Sequence, residues 1–104
     1  QDIALIDAIK GVNMFKKIGT PVLGIVENMS YFVCPHCGKR TDIFGHEGAC
    51  ETAHRMGETF LGEIPLDMAI RSGSDNGAPI VTAAPDSPYT KAYLEIARKI
   101  SDKI

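Results

Sequence analysis

Two thiols, Cys34 and Cys37 in the run Cys34-Pro35-His36-Cys37-Gly38, are the sharpest chemical signal in this chain. Thiolates separated by two residues in a loop can turn toward one metal and leave two coordination positions to fill. One such pair is half of a four-cysteine site. No second Cys-x-x-Cys occurs, and completing the site inside one chain would enlist Cys50 with His36, His46 or His54, at spacings that match no familiar zinc module. A two-fold axis through the metal solves the count, because it brings the same pair from a second copy. Thiol-disulfide exchange and an inert loop pair are the other uses open to this spacing.

A second group of polar residues, Glu27-Asn28-Met29-Ser30, follows the apolar run Val22-Leu23-Gly24-Ile25-Val26. Such a short unbroken run predicts a central strand of a parallel sheet, buried on both faces. Ligands of open α/β sheets bind beyond the C-terminal ends of the strands, which is where these residues fall. Asn28 there can also serve merely to cap a turn. Cys50, on a predicted helix, reads as a small buried hydrophobe. The three histidines read as surface or loop residues, with His36 close enough to tune a metal site by hydrogen bonding. Tyr31 and Phe32 are expected to pack under the cysteine loop.

The elements that must position these groups are legible from periodicity. Leu5, Ile9, Val12 and Phe15 recur at helical spacing from Asp2 to Ile18, and Lys16-Lys17 before Gly19 and Pro21 ends that helix. Gly11 inside it costs about 1 kcal/mol relative to alanine, through either a close contact or a weakness offset by burial. Tyr31 to His46 has no sustained period and reads as a loop. Glu47 to Met56 predicts a helix closed by Gly57. Phe60 to Ile64 predicts a second strand, ended by Pro65. A brief helix follows from Asp67 to about Ser72, broken by Gly73, Gly77 and Pro79. Ser87-Pro88 caps a terminal helix whose stripe is Tyr89, Tyr93, Ile96, Ile100 and Ile104.

About four helices and two strands, with a helix first, make an incomplete sheet. The missing strands are therefore expected upstream, or the core is completed by a second copy. With 104 residues, 44% hydrophobic and 23% charged, the chain has the size and balance of one small domain. A net charge of -2 with dispersed lysines and arginines offers no footprint for nucleic acid. The longest apolar run falls far short of the roughly 18 residues of a membrane span, and no secretory signal opens the chain. A soluble protein of a reducing cytoplasm, without nucleic-acid or membrane partners, is expected.

The blocks Gly24-Ile25-Val26-Glu27-Asn28-Met29-Ser30-Tyr31-Phe32, Cys34-Pro35-His36-Cys37-Gly38, Ile43-Phe44-Gly45 and Leu61-Gly62-Glu63-Ile64-Pro65-Leu66-Asp67 together resemble the Mrp/ApbC family of cluster-carrying ATPases. Ser74-Asp75-Asn76-Gly77-Ala78-Pro79 and the terminal helix look like that family's C-terminus. The resemblance implies an α/β fold, here residues 1–104 as the C-terminal portion of a single P-loop ATPase domain, a parallel sheet with flanking helices. It implies a homodimer that holds a bridging [4Fe-4S] cluster on Cys34 and Cys37 and passes it to recipient apoproteins. It also implies that Asn28 reads the adenine of ATP while Ile64-Pro65-Leu66 forms a wall against the ring. An amide suits that task, offering a donor and an acceptor to one base edge.

One departure matters. No Gly-x-x-x-x-Gly-Lys-Ser/Thr occurs, so no catalytic residue is assigned, the chain alone should not hydrolyse ATP, and the P-loop and magnesium ligands are expected before Gln1. The rival from another class is a zinc-linked structural dimerisation module with the same four thiolates and no transfer chemistry. A membrane-binding positioning protein like the septum-site regulator MinD is disfavoured, because the terminal helix has no distinctly basic face.

Overall fold

A computed structural model describes residues 2–42 and 48–104. Within them the order is α1 (Asp2–Lys17), β1 (Ile25–Glu27), β2 (Phe32–Val33), β3 (Arg40–Thr41), α2 (Gly48–Arg55), β4 (Phe60–Glu63), α3 (Met68–Asp75), α4 (Ile80–Ala83) and α5 (Pro88–Lys103). The Ile43-Phe44-Gly45 block, His46 and the expected helix start at Glu47 lie outside the described residues.

β1 and β4 form a parallel pair, and β2 and β3 an antiparallel hairpin. The parallel pair is the centre of an α/β arrangement in which α2 packs on both of its strands and α5 packs on β4. The core joins Leu61 and Ile64 to Ile96 of α5, with Ile70, Tyr93 and Ile100 around them. Burying each such side chain is worth about 1.5–3 kcal/mol, so this contact is the main apolar anchor of the terminal helix. Its stripe stops short of the end: Ile104 is 91% exposed.

Two local devices let α5 approach. Ile25 pairs with Phe60 but Val26 pairs with Gly62, so Leu61 is an extra residue in β4 and points into the core. Gly62 takes φ 151°, and a Cβ there would lie 2.8 Å from Ile96 Cγ1. Thr90, also buried on α5, donates its hydroxyl toward the carbonyls of Ile80 (3.0 Å) and Ala84 (2.6 Å), which ties α4 to α5.

Several expectations need correction. The first strand begins at Ile25, not Val22, and Val26 is 38% exposed instead of buried on both faces. Among the described residues β1 has one neighbouring strand, so less covers it than a central strand would have. The stretch expected as loop contains the β2–β3 hairpin. The helix expected to stop before Gly73 runs through it to Asp75, because Gly73 lets the chain fold back tightly: a Cβ there would lie 2.5 Å from the carbonyl oxygen of Ala78. α4 was not anticipated. Asp67 instead serves as the N-cap of α3, accepting from the Ala69 amide at 2.8 Å. Ser87 caps α5 in the same way and Gly57 takes the left-handed φ of 71° expected of it. Around Gly11 there is open space, which resolves its ambiguity: it is a weakness in α1, not a packing contact.

The two glycines should therefore respond oppositely to alanine. Gly62→Ala must displace Ile96 and strain the backbone, and is expected to cost about 1–3 kcal/mol, while Gly11→Ala is expected to add about 0.5–1 kcal/mol. Thermal melts of the two variants beside the parent check both signs.

Candidate functional site

The site is built where the parallel pair runs out. Beyond Glu27 and Glu63 the two chains stay bonded: the Ile64 amide donates to the Glu27 carbonyl at 2.8 Å, Ser30 to Ile64 at 2.9 Å, and Leu66 to Tyr31 at 2.7 Å. This extended ladder holds the turn Glu27-Asn28-Met29-Ser30 beside Ile64-Pro65-Leu66. Met29 adopts φ 53°, rare for a residue with a side chain, and Asn28 Oδ1 accepts from the Met29 amide at 2.9 Å. Asn28 thus caps its own turn and keeps its exposed amide at the strand end. Ile64 spends its side chain in the core and Pro65 is buried, so of the three expected wall residues Leu66, 36% exposed, has the open face.

Next to this turn a cavity of about 440 Å³ lies between α1 and β1. Ala4, Leu5 and Ala8 form one side and Ile25, Val26 and Met29 the other, with Asn28 also in its wall. The lining is apolar except where Glu27, Asn28 and Ser30 enter it.

The cysteine hairpin leaves directly from the ladder. Tyr31 is bonded to Leu66, and Phe32–Val33 pairs with Arg40–Thr41, so Cys34 to Lys39 form the tip. The Cys34 amide donates to the Lys39 carbonyl at 3.0 Å and the Gly38 amide to the Cys34 carbonyl at 2.8 Å, with Gly38 at φ 73° closing the turn. Amides inside the turn face the Cys34 sulfur. The backbone N–H of Cys37 first, then that of His36 and the Cys37 side chain, hold the Cys34 thiol below its ordinary pKa. The turn is thus built to stabilise a thiolate, the form that ligates metal. Cys37 is exposed and within hydrogen-bonding reach of Cys34. Among the described residues no group of three or more His, Cys, Asp or Glu side chains gathers as a metal site. Cys50 is half-buried on α2, away from the hairpin, less enclosed than its reading as a buried hydrophobe required. His54 and His36 are exposed. Phe32 faces solvent instead of packing under the loop, whereas Tyr31 lies under Arg40, whose guanidinium carbon sits 4.0 Å from the ring centre.

Sequence reasoning missed the polar groups that join the two halves. Buried Ser30 donates toward both Glu27 and Glu63, each at 2.6 Å, and Glu63 pairs through its other oxygen with Arg40 of the hairpin at 2.8 Å. Arg40 also meets Asp42 at 3.0 Å. Burial, and then the Glu63 charge, push the Tyr31 phenol up while Arg40 pulls it down. Polar residues at a strand end were the one available hint.

A description of the NUBPL iron-transfer P-loop NTPases, within the ParA group, matches residues 1–101. The chain is 56% identical over 100 residues to the iron-sulfur cluster transfer protein NUBPL of Dictyostelium discoideum, covering 96% of this chain and 31% of that protein. It is 49% identical over 104 residues to an iron-sulfur cluster carrier protein of Pyrococcus abyssi, covering 100% of this chain and 35% of the relative. The chain thus spans about a third of the length of the relatives it matches. Among solved structures, the cell division ATPase MinD of Pyrococcus furiosus superposes with a TM-score of 0.72 at 32% identity, over 96% of this chain and 38% of that one. A nucleotide-binding protein of Archaeoglobus fulgidus in complex with ADP gives 0.64 at 38% identity, over 80% and 33%.

The thiol chemistry can be checked without any metal. Because the folded-state pKa of Cys34 is depressed, its thiolate persists as pH falls through the range where an ordinary thiol has already taken up its proton. Alkylation followed by peptide mass mapping at pH 6–8 is expected to label Cys34 ahead of Cys50, and urea should erase the preference.

Proposed function

Since this chain belongs to the family of NUBPL iron-transfer P-loop NTPases, we propose that it is the cysteine-bearing C-terminal part of an ATPase that carries an iron-sulfur cluster as cargo. The observation that carries the reading is the hairpin tip, which favours thiolate at Cys34, exposes Cys37 and offers two ligands where a [4Fe-4S] cluster needs four. A second copy supplies the other two across a two-fold axis. Transfer to a recipient apoprotein is then ligand exchange: thiolates of the recipient replace those of Cys34 and Cys37, and no electron changes hands. The relatives named as cluster carriers support cluster over the zinc-linked dimerisation module.

The phosphate-binding loop and its magnesium ligands belong, on this reading, to residues before Gln1 in the same domain. Asn28 offers its amide to the adenine edge, and Leu66, backed by buried Pro65 and Ile64, lies beside the ring. No helix among the described residues is long and apolar enough to cross a membrane. Three unpaired thiols suit a reducing compartment, for which the cytoplasm is the proposed setting.

Cys34→Ser and Cys37→Ser should each remove two ligands from the symmetric site, abolish the brown colour and shift the full-length protein toward monomer in sedimentation. Cys50→Ser should retain both colour and mass, with one four-iron cluster per two chains. Loss of cluster in Cys50→Ser as complete as in Cys34→Ser would replace the shared site with an internal three-cysteine one. A colourless product with zinc after anaerobic purification would favour the structural module.

Nucleotide recognition has its own test. In the full-length protein Asn28→Ala should weaken ATP binding by about 1 kcal/mol per lost base-edge hydrogen bond and blur the preference over GTP, with cluster content unchanged. An unaltered preference would leave Asn28 with its turn-capping role alone.

A further inference from the structure

Ser30 has one hydroxyl hydrogen and two carboxylate oxygens at 2.6 Å, one on Glu27 and one on Glu63. At any instant it can serve only one of them. Its backbone is fixed by the ladder to Ile64, so the choice is made by rotating the hydroxyl and not by moving the chain. Glu63, in turn, is the residue by which β4 grips the cysteine hairpin through Arg40. Arg40 pairs with Val33 in the hairpin, immediately before Cys34, and lies over Tyr31. Glu27 stands at the other end of the line, adjoining Asn28 and the apolar cavity.

We propose that Ser30 is a positioning residue that distributes one hydrogen bond between Glu27 and Glu63, and so ties the firmness of the cysteine hairpin to what occupies Glu27. A ligand at the strand end whose N–H groups engage Glu27, as the amino group of a purine could, commits the hydroxyl to Glu63. Glu63 is then held from both sides and Arg40 clasps the hairpin. When Glu27 is released it competes for the hydroxyl again, Glu63 loosens, and the two thiols gain freedom. In one geometry the hydroxyl oxygen lies 2.6 Å from both carboxylates, so its single hydrogen has two alternative acceptors, the two-state element that coupling between sites requires. The consequence for cargo release rests on Cys34 and Cys37 being cluster ligands; the coupling itself does not.

The test is hydrogen exchange of the Cys34 and Gly38 amides in the full-length protein without nucleotide or metal, with the amides of Tyr93 to Ile100 reporting general stability. Glu27→Ala removes the competitor and should slow hairpin exchange about two- to threefold, whereas Arg40→Met should speed it about fivefold, a size suited to a half-exposed ion pair. Arg40→Lys should recover part of that loss. In the Arg40→Met and Ser30→Ala backgrounds the Glu27→Ala effect should vanish, as a double-mutant cycle reads it. A merely structural Glu27 would give faster exchange on removal, so the sign separates the two roles. Unchanged or faster hairpin exchange in Glu27→Ala, or the same slowing with and without Arg40, overturns the proposal, as does equal acceleration of the α5 amides in Arg40→Met. Failure to find a cluster would count against the cargo reading alone.

Discussion

The parallel bonding of residues 25–31 to residues 60–66 is the constraint on which the rest depends. A parallel pair cannot be closed by a tight turn, so the chain between its strands must leave the sheet and return. On that excursion it builds the cysteine hairpin and α2. Each backbone bond of the ladder is worth about 1 kcal/mol net, less than burial of a single core side chain such as Leu61 or Ile96. Apolar packing therefore supplies the stability, and the ladder supplies placement. Because the bonding continues past Glu63 to Leu66, the Asn28 turn and the root of the hairpin are registered against the same three residues.

The hairpin itself is held differently. Its tip from Pro35 to Lys39 is exposed and contributes nothing to the core. What orients it is polar: two backbone bonds across the turn, the Arg40–Glu63 pair and the Arg40–Tyr31 stack. Such interactions are individually small and exposed, which leaves the thiols directed but not rigidly encased. Such openness fits the proposed role of holding and releasing a cluster, and it contrasts with structural thiolate sites, which are closed.

Much of the fold was legible because it is written in local signals. Ser87-Pro88 and Gly57 mark helix ends by chemistry that acts within a few residues, and the apolar runs before Glu27 and before Pro65 gave the two paired strands. The hairpin was not legible, since Phe32–Val33 and Arg40–Thr41 are too short to show alternation. Gly73 misled because its reason lies in a close approach to Ala78, a tertiary contact that the sequence pattern does not carry. At the site, the cysteine pair and Asn28 stood out by type and position. The Glu27, Ser30, Glu63 and Arg40 network did not, because Ser30 and Glu63 meet only through the register of the parallel pair.

The same topology sets an order of events in biosynthesis. The hairpin closes over residues 34–39, whereas the parallel pair must close over residues 28–59. Local closure of the first kind takes microseconds and is favoured early, while distant pairing is slower and pays its loop entropy before any reward. Synthesis runs from the N-terminus, so Cys34 and Cys37 leave the ribosome before Phe60 and the rest of β4 do. The thiol pair is thus presented to soft metals and oxidants while still without its scaffold, and a nascent chain has a period in which the two thiols are exposed but ungoverned.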